Sequence, residues 1–167
     1  AQHGPVDRAG LHAVGRALDG AGAALVVRVP AVDPVWIGAA LDAGAAAVVV
    51  PSVTTTADAV LAARASRYPP EGDRSWGPFA PVWGGTAPDP VAANDGVRCL
   101  ALIETAGALA DVDEIAATPG IDGLFVGPFD LALSLATSVD ALLDDHSPGS
   151  PLEMVVAAAA RHGILVA

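Results

Sequence analysis

The sequence contains no lysine, since all 8 of its basic residues are arginine. This absence excludes enzymes that depend on a lysine amine: Schiff-base aldolases, pyridoxal-phosphate enzymes with an internal aldimine, and nucleoside triphosphatases with a Walker A motif. Cysteine is almost absent as well, and the single Cys99 cannot form a disulfide within the chain. Nothing in the sequence therefore requires an oxidising compartment.

Positive charge is also scarce, because 8 basic residues stand against 19 acidic ones and the net charge is -11. A chain this acidic is a poor candidate for binding nucleic acid or an anionic membrane surface. No apolar run approaches the roughly 18 to 20 residues of a membrane span. The first eight residues lack the basic and then apolar pattern of a signal peptide. We therefore expect a cytoplasmic protein that binds neither nucleic acid nor membrane.

What the sequence does contain is apolar residues, which make up 53% of its 167 positions. This length and composition predict one domain with a substantial core. Five short runs are rich in valine, isoleucine and leucine and lack polar alternation, as is typical of parallel strands buried on both faces. They are residues 24–29, 46–50, 99–103, 123–126 and 163–166.

Helical patterns lie between these runs, and the alternation predicts βαβ units with a parallel sheet. One helix is marked by Asp33-Pro34, an N-cap followed by proline, and is predicted to stop at Gly44. The other predicted helices are residues 7–20, 56–67, 105–118 and 152–161. Two connections remain: residues 68–98, a proline-rich loop of the kind that is often functional, and residues 134–150, predicted to be irregular and partly disordered.

Side chains at the carboxyl ends of parallel strands meet at one edge of a sheet, where ligands bind. Glu104 and Asp130 follow two successive strands. They suit a hard cation such as Mg²⁺, which one or two carboxylates hold with water and substrate. The alternative is that Glu104 caps the next helix and Asp130 caps a turn. Arg28 interrupts an apolar strand, which indicates either an ion-pair partner or an anion-binding group.

Other polar and aromatic residues give weaker signals. His3 stands before the first helix, and Asp42 lies near a helix C-terminus, where the macrodipole disfavours it and a partner is indicated. We predict Cys99 to be a small core residue. The remaining histidines are predicted at the surface, and the two tryptophans of the long loop either pack that loop or line a pocket: His12, His146, His162, Trp76 and Trp83.

Longer motifs resemble the HpcH/HpaI aldolase family. They are VVRVPAVDP (26–34), ALDAGAAAVVVPSV (40–53), RYPPEGDRSWGP (67–78), ALIETAGALADVDEIAATPGIDGLFVGPFDL (101–131) and the opening QHGP (2–5). Members of this family are metal-dependent (class II) aldolases of pyruvate and related 2-oxo acids, related to the citrate lyase beta-subunit. The resemblance implies an α/β fold of the (β/α)8 TIM-barrel type, which typically needs about 250 residues. The chain would supply its third to seventh strands as one domain, 1–167, truncated at both ends. We therefore expect an incomplete barrel with an open, curved sheet.

The resemblance also implies roles for individual residues. Glu104 and Asp130 match the ligands of a divalent metal, Mg²⁺ or Mn²⁺ with Co²⁺ as a further option. Arg28 matches the arginine beside the developing enolate, His3 the catalytic base, and Asp42 an aspartate that raises the basicity of this histidine. The implied substrate contacts are Arg28, Leu102, Gly127, Pro128, Phe129 and Asp130. The implied substrates are a 2-oxo acid and an aldehyde, and no pyridoxal phosphate or nucleotide is implied as a cofactor. The resemblance further implies that the full-length protein is a homo-oligomer and acts in the catabolism of aromatic compounds.

Two positions depart from the family pattern. The family has glutamate before the catalytic histidine where this chain has Gln2, and a polar residue where this chain has Leu102. Three alternatives remain open at this point. The chain could be an inactive remnant that serves in binding or oligomerisation. It could be a citrate lyase beta or malyl-CoA lyase-like enzyme, although no basic patch suits CoA. It could be a doubly wound nucleotide-binding domain, although no GxGxxG follows a strand.

Overall fold

A parallel sheet forms the centre of the computed structural model, which describes residues 6–77, 87 and 89–167. Within these residues the strands are β1 (Leu25–Arg28), β2 (Ala45–Val50), β3 (Arg98–Ile103), β4 (Gly123–Val126) and β5 (Leu165–Val166). Each strand pairs in parallel with the next one in the chain. All five lie within the predicted runs or begin one residue earlier, which confirms the prediction of about five parallel strands.

Helices connect the strands and follow the start and stop signals of the sequence. The described helices are α1 (Arg8–Gly20), α2 (Pro34–Asp42), α3 (Thr56–Ala65), α4 (Pro90–Gly96), α5 (Ala106–Ala110), α6 (Val112–Ala116), α7 (Pro128–Ser134), α8 (Val139–Asp144) and α9 (Pro151–His162). Asp33 caps α2 by accepting a hydrogen bond from the Val35 N–H at 2.8 Å. Gly163 ends α9 with a φ of 66°, a left-handed conformation that glycine adopts at no steric cost. No helix in the described part of the chain is long and apolar enough to cross a membrane.

Three expectations about local structure are corrected. The helix predicted over 105–118 is two helices, because Asp111 leaves helical geometry and serves as both the C-cap of α5 and the N-cap of α6. The connection 68–98 contains α4, whose Asp89-Pro90 start repeats the signal seen at Asp33. Residues 134–150 are not irregular throughout, since Ser138 caps α8 within them. Trp83 lies outside the described residues, as do residues 78–86 and 88.

The two faces of the sheet have different environments. The core cluster joins the helices to side chains of one face, including Val27, Val48 and Leu124. Alternate residues point to the other face, where Val26 is 55% and Phe125 37% exposed. The prediction that the strands are buried on both faces is therefore wrong for β1 and β4 but holds in the middle of the sheet, where Val49 of β2 and Leu102 of β3 are 4% and 3% exposed on this second face. The helices pack against the first face, and the second face is exposed towards the sides of the sheet.

The order of the strands distinguishes a barrel wall from a doubly wound sheet. Sequential parallel pairing with helices against one face is the arrangement of a (β/α) barrel, whereas a doubly wound sheet reverses its order and carries helices on both faces. Among the described strands, β1 and β5 each have one neighbour, so the sheet is open as expected. This topology brings the carboxyl ends of β1, β2, β3 and β4 to one edge.

Candidate active site

A buried carboxylate stands at this edge. Glu104 follows β3 directly, and its side chain is only 8% exposed. The Ser52 N–H, from the turn after β2, donates to Glu104 Oε1 at 2.8 Å. Arg28 Nη2, from the end of β1, donates to Glu104 Oε2 at 3.3 Å. Burying a carboxylate is costly unless it is paired and hydrogen-bonded, and here two neighbouring strand ends supply both. The carboxylate therefore has a fixed orientation.

Arg28 forms an ion pair with Glu104, which was one of the two alternatives for this residue. Its side chain is 28% exposed at the same edge. A guanidinium has five N–H donors, more than one carboxylate oxygen can engage. The second alternative, contact with an anionic ligand, is compatible with this ion pair and stays a prediction.

The start of α7 lies against Glu104. Gly127 is the N-cap of α7, and a Cβ at this position would lie 2.9 Å from Glu104 Cβ and 3.4 Å from Glu104 Oε2. Only glycine allows the two strand ends to approach this closely. Asp130 lies in the first turn of α7, exposed to solvent. The chain thus brings the acidic end of α7 beside the buried carboxylate.

Glu104 is not a helix cap, so the alternative interpretation of this residue is wrong. Thr105 caps α5, with its Oγ1 accepting from the Ala108 N–H at 3.0 Å. Gly127 occupies the cap position of α7, which has no side-chain cap hydrogen bond. The local helix structure therefore does not account for Glu104, whereas Asp130 lies in the first turn of α7, where the macrodipole favours an acidic residue, and its role as a ligand stays a prediction.

The two carboxylates suit a hard divalent cation. Each carboxylate oxygen of Glu104 accepts one described protein hydrogen bond and has a second lone pair. Mg²⁺ is usually bound through one or two carboxylates and keeps positions for water and substrate. Within residues 6–77 and 89–167, no cluster of three or more His, Cys, Asp or Glu side chains is grouped for a metal. The donor set therefore fits an open site and not a closed protein cage.

The remaining predicted substrate contacts surround this edge. Leu102 is buried, and its Cδ1 would lie 3.5 Å from a Cβ at Gly127. It supplies an apolar wall below Glu104 with no hydrogen-bonding group. Pro128 is half-buried, whereas Phe129 is 75% exposed. Their contacts with a substrate stay predictions.

Asp42 is not brought to this edge. It is the last residue of α2, and α2 leads from the carboxyl end of β1 back to the start of β2. Asp42 therefore lies at the opposite end of the sheet, where its Oδ1 accepts from Arg74 Nη2 at 2.8 Å. The partner indicated by the unfavourable helix position is thus an arginine. Because His3 lies outside the described residues, the predicted action of Asp42 on His3 stays a prediction.

The three other histidines lie at the surface and Cys99 lies in the core, as the sequence predicts. His12, His146 and His162 are exposed, and His162 Nε2 lies 3.1 Å from Asp113 Oδ1. Cys99 is buried in the core, and burial raises the pKa of its thiol to about 11. Trp76 is half-exposed.

Ser52 is a contributor that the sequence places at the end of the second strand but to which it assigns no role. Ser52 follows the second strand, and its backbone N–H, not its side chain, makes the hydrogen bond to Glu104. A pattern of side chains in the sequence does not reveal such a backbone contact. The available signal was its position directly behind a buried strand and a proline.

Sequentially paired parallel strands with helices on one face define a wall of a (β/α) barrel, and an arginine and a carboxylate meet at its strand ends. The sequence profile of the HpcH/HpaI aldolase/citrate lyase family matches residues 3–167. The chain belongs to this family.

Individual relatives carry aldolase names. The chain is 42% identical over 170 residues to 4-hydroxy-2-oxovalerate aldolase from Novosphingobium aromaticivorans, an alignment that covers 98% of this chain and 64% of that protein. It is 46% identical over 122 residues to 5-keto-4-deoxy-D-glucarate aldolase from Citrobacter koseri, covering 71% and 47%. The crystal structure of a HpcH/HpaI aldolase/citrate lyase family protein from Burkholderia cenocepacia superposes with a TM-score of 0.85 at 33% identity, covering 98% of this chain and 66% of that one. The chain thus spans about half to two thirds of the length of these relatives.

Proposed function

We propose that this chain carries the site of a metal-dependent aldolase that forms or cleaves aldol adducts of pyruvate or a related 2-oxo acid. The observation that carries the proposal is the buried Glu104, held by Arg28 and the Ser52 N–H beside the start of α7. The names of the relatives support this reaction class, and the absence of lysine agrees with it. Without a lysine amine no iminium can form on the chain, so another electron sink is needed.

Glu104 and Asp130 would hold the divalent ion of this site, Mg²⁺, Mn²⁺ or Co²⁺. The ion would supply a Lewis acid for the keto and carboxylate oxygens of the 2-oxo acid. The rigid orientation of Glu104 is an advantage for such a ligand, because hydrogen bonds from neighbouring groups fix the direction of its lone pairs.

The chain's own residues account for the proton and charge movements. A base removes a proton from C3 of the 2-oxo acid, the C3–H electron pair forms a C2=C3 double bond, and the C2=O π pair moves to the keto oxygen, where negative charge develops. Arg28 would stabilise that charge from its position at the end of β1. C3 then attacks the aldehyde carbon as the C2=O bond re-forms, and the aldehyde oxygen takes up the proton held by the base. Cleavage is the reverse of these steps.

The base and the substrate contacts rest on the resemblance. His3 is the proposed base, directly or through a water. Gly127, Pro128, Phe129 and the backbone of Asp130 are the proposed surroundings of the substrate carboxylate. Because Leu102 offers no hydrogen bond, we propose that discrimination between 2-oxo acids at this wall depends on shape and apolar contact.

Proton NMR of pyruvate in D₂O tests the first half of the reaction. We expect the methyl signal to disappear in the presence of the 167-residue chain and Mg²⁺, and to persist without the metal. Glu104→Gln and Asp130→Asn should each abolish the exchange, and Arg28→Met should slow it by about 10²-fold or more. Asp140→Asn on α8 and Arg98→Met at the amino end of β3 are matched controls that should leave it unchanged.

The outcome decides between the alternatives. Exchange that survives Glu104→Gln would show that the proposed site is not responsible. No exchange by a chain with well-dispersed amide signals would favour the inactive remnant or a lyase acting on another 2-oxo acid, such as the citrate lyase-like candidate. The aldehyde partner, the homo-oligomer and the role in aromatic catabolism are proposals that rest on the family membership alone, and the cytoplasmic location is a proposal that rests on the sequence composition.

A further inference from the structure

The turn after β2 contains an unusual backbone conformation beside Glu104. Ser52 has a φ of 57°, in the left-handed region that favours glycine. In the described part of the chain, the other non-glycine residue with positive φ is Ala136, at 52°. Strained conformations of this kind persist only where the surrounding structure fixes them, and they concentrate at functional sites.

The surrounding structure fixes Ser52 on both sides. Upstream, β2 ends at Val50 inside the sheet and is followed by Pro51. Downstream, Val53 is fully buried, and the N–H groups of Thr54 and Thr55 both donate to Asp58 Oδ2 within the capping box of α3. Because both flanks are pinned, an extended φ at residue 52 would force one of them to move, and the direction of the Ser52 N–H would change with it.

The strained turn has one visible consequence at the site. It aims the Ser52 N–H at Glu104 Oε1, at 2.8 Å, while Arg28 engages Oε2. The contact joins residues 52 positions apart in the chain, so it is not a local turn hydrogen bond. Without this donor the hydrogen bond that remains to the carboxylate from the described residues is the longer one, at 3.3 Å, and the carboxylate could rotate about its terminal torsion.

We infer that Ser52 is a positioning residue, whose left-handed backbone directs its N–H to Glu104 Oε1 and so presets the Glu104 carboxylate for a divalent cation. The inference rests on the proposed function, because it assigns Ser52 to the same metal site. It depends on the backbone and not on the hydroxyl, so the tolerance of each replacement for positive φ should decide the effect. Glycine and asparagine adopt this conformation readily, whereas a β-branched residue does not.

The test measures Mg²⁺ binding to the full 167-residue chain by isothermal titration calorimetry. Ser52→Gly and Ser52→Asn should bind Mg²⁺ as the unaltered chain does, and Ser52→Val should bind about 10- to 100-fold more weakly. Ala136→Val is the matched control: it places the same side chain at the other positive φ, in the turn after α7, and should leave the Mg²⁺ affinity unchanged. Unchanged affinity in a folded Ser52→Val chain would overturn the inference. So would an equal loss in Ser52→Gly and Ser52→Asn, which would assign the effect to the hydroxyl.

A second readout does not depend on metal binding. In a ¹⁵N–¹H spectrum without Mg²⁺, Glu104→Gln should move the Ser52 amide proton resonance upfield, because the charged acceptor is replaced by a neutral one. Asp130→Asn should not move it. A Ser52 resonance that ignores Glu104→Gln would overturn the inference. If the resonance moves but the unaltered chain binds no Mg²⁺, the proposed function has failed while the contact stands, so the two failures are distinguishable.

Discussion

Replacing Gly127 by alanine tests how closely the strand ends must approach at the site. The new Cβ would lie 2.9 Å from Glu104 Cβ, and ordinary contact begins at 3.4 Å, so the gap must widen by about 0.5 Å. The obstacle is a Cβ attached directly to the backbone and not the flexible end of a side chain. Gly127 has a φ of -98°, which alanine also adopts, so the expected effect is steric and not conformational.

The expected cost of Gly127→Ala is that of overpacking a close contact, about 1 to 3 kcal/mol in the free energy of unfolding. For a chain of this length this lowers the melting temperature by about 2 to 12 °C. The displacement acts on Glu104, so Mg²⁺ affinity should fall by about 10-fold or more in the same variant. Thermal unfolding followed by circular dichroism and titration calorimetry with Mg²⁺ measure the two effects.

A second glycine provides the control for this experiment. Gly38 lies inside α2, and a Cβ there would meet nothing within 4 Å. Gly38→Ala should therefore raise the free energy of unfolding by up to about 1 kcal/mol through helix propensity and leave Mg²⁺ affinity unchanged. A Gly127→Ala chain that is as stable as the unaltered chain and binds Mg²⁺ equally well would refute the argument that the close approach shapes the site.

Three further predictions concern stability. Arg67→Met should lower the free energy of unfolding in urea by about 3 kcal/mol, because it removes a buried guanidinium that pairs with Asp122 at 2.8 Å. Arg64→Met removes an exposed ion pair and should change this free energy little. Equal losses in the two variants would contradict this reasoning. Thr55→Ala removes the side-chain cap of α3 and should lower the free energy of unfolding by about 1 kcal/mol, which a shift in the urea midpoint would register. Burial raises the pKa of the Cys99 thiol to about 11, so the unfolded chain loses this proton at a lower pH than the folded chain does. The free energy of unfolding should therefore fall as the pH rises from 9 towards 11, and Cys99→Ala should reduce this pH dependence. A thiol reagent that labels the native chain rapidly at pH 8 would contradict the burial of Cys99.

The local elements of the fold could be predicted from the sequence because their causes are local. The apolar run at 123–126 has the same bounds as β4. Asp33 is the N-cap of α2 and Pro34 is its first residue, as this pair of residues predicts. The same signal, Asp89-Pro90, marks the start of α4 inside the proline-rich connection 68–98. The helix over 105–118 was predicted too long, because apolar spacing alone does not show that Asp111 interrupts it.

The candidate site was predicted as a set of residues but not as a geometry. The rule that parallel strands end at one edge correctly brought Arg28 and Glu104 together, although 76 positions separate them. It could not place Asp42, because a carboxylate at a helix C-terminus belongs to the opposite end of the sheet. It also could not find a backbone donor, because an N–H is present at nearly every position and only its direction distinguishes Ser52.

The sequence by itself determined the strands, the bounds of α1, α2, α3 and α9 to within two residues, the exclusion of lysine chemistry and the residue types available at the strand ends. Each of these depends on composition or on spacing within a few residues. The tertiary structure alone decided that Glu104 is buried and held on both oxygens, that Gly127 lies against it, and that Val26 and Phe125 are exposed on the face of the sheet opposite the helices. These features depend on strand order and register, which are set by contacts between residues far apart in the chain, and on the backbone direction at the strained Ser52.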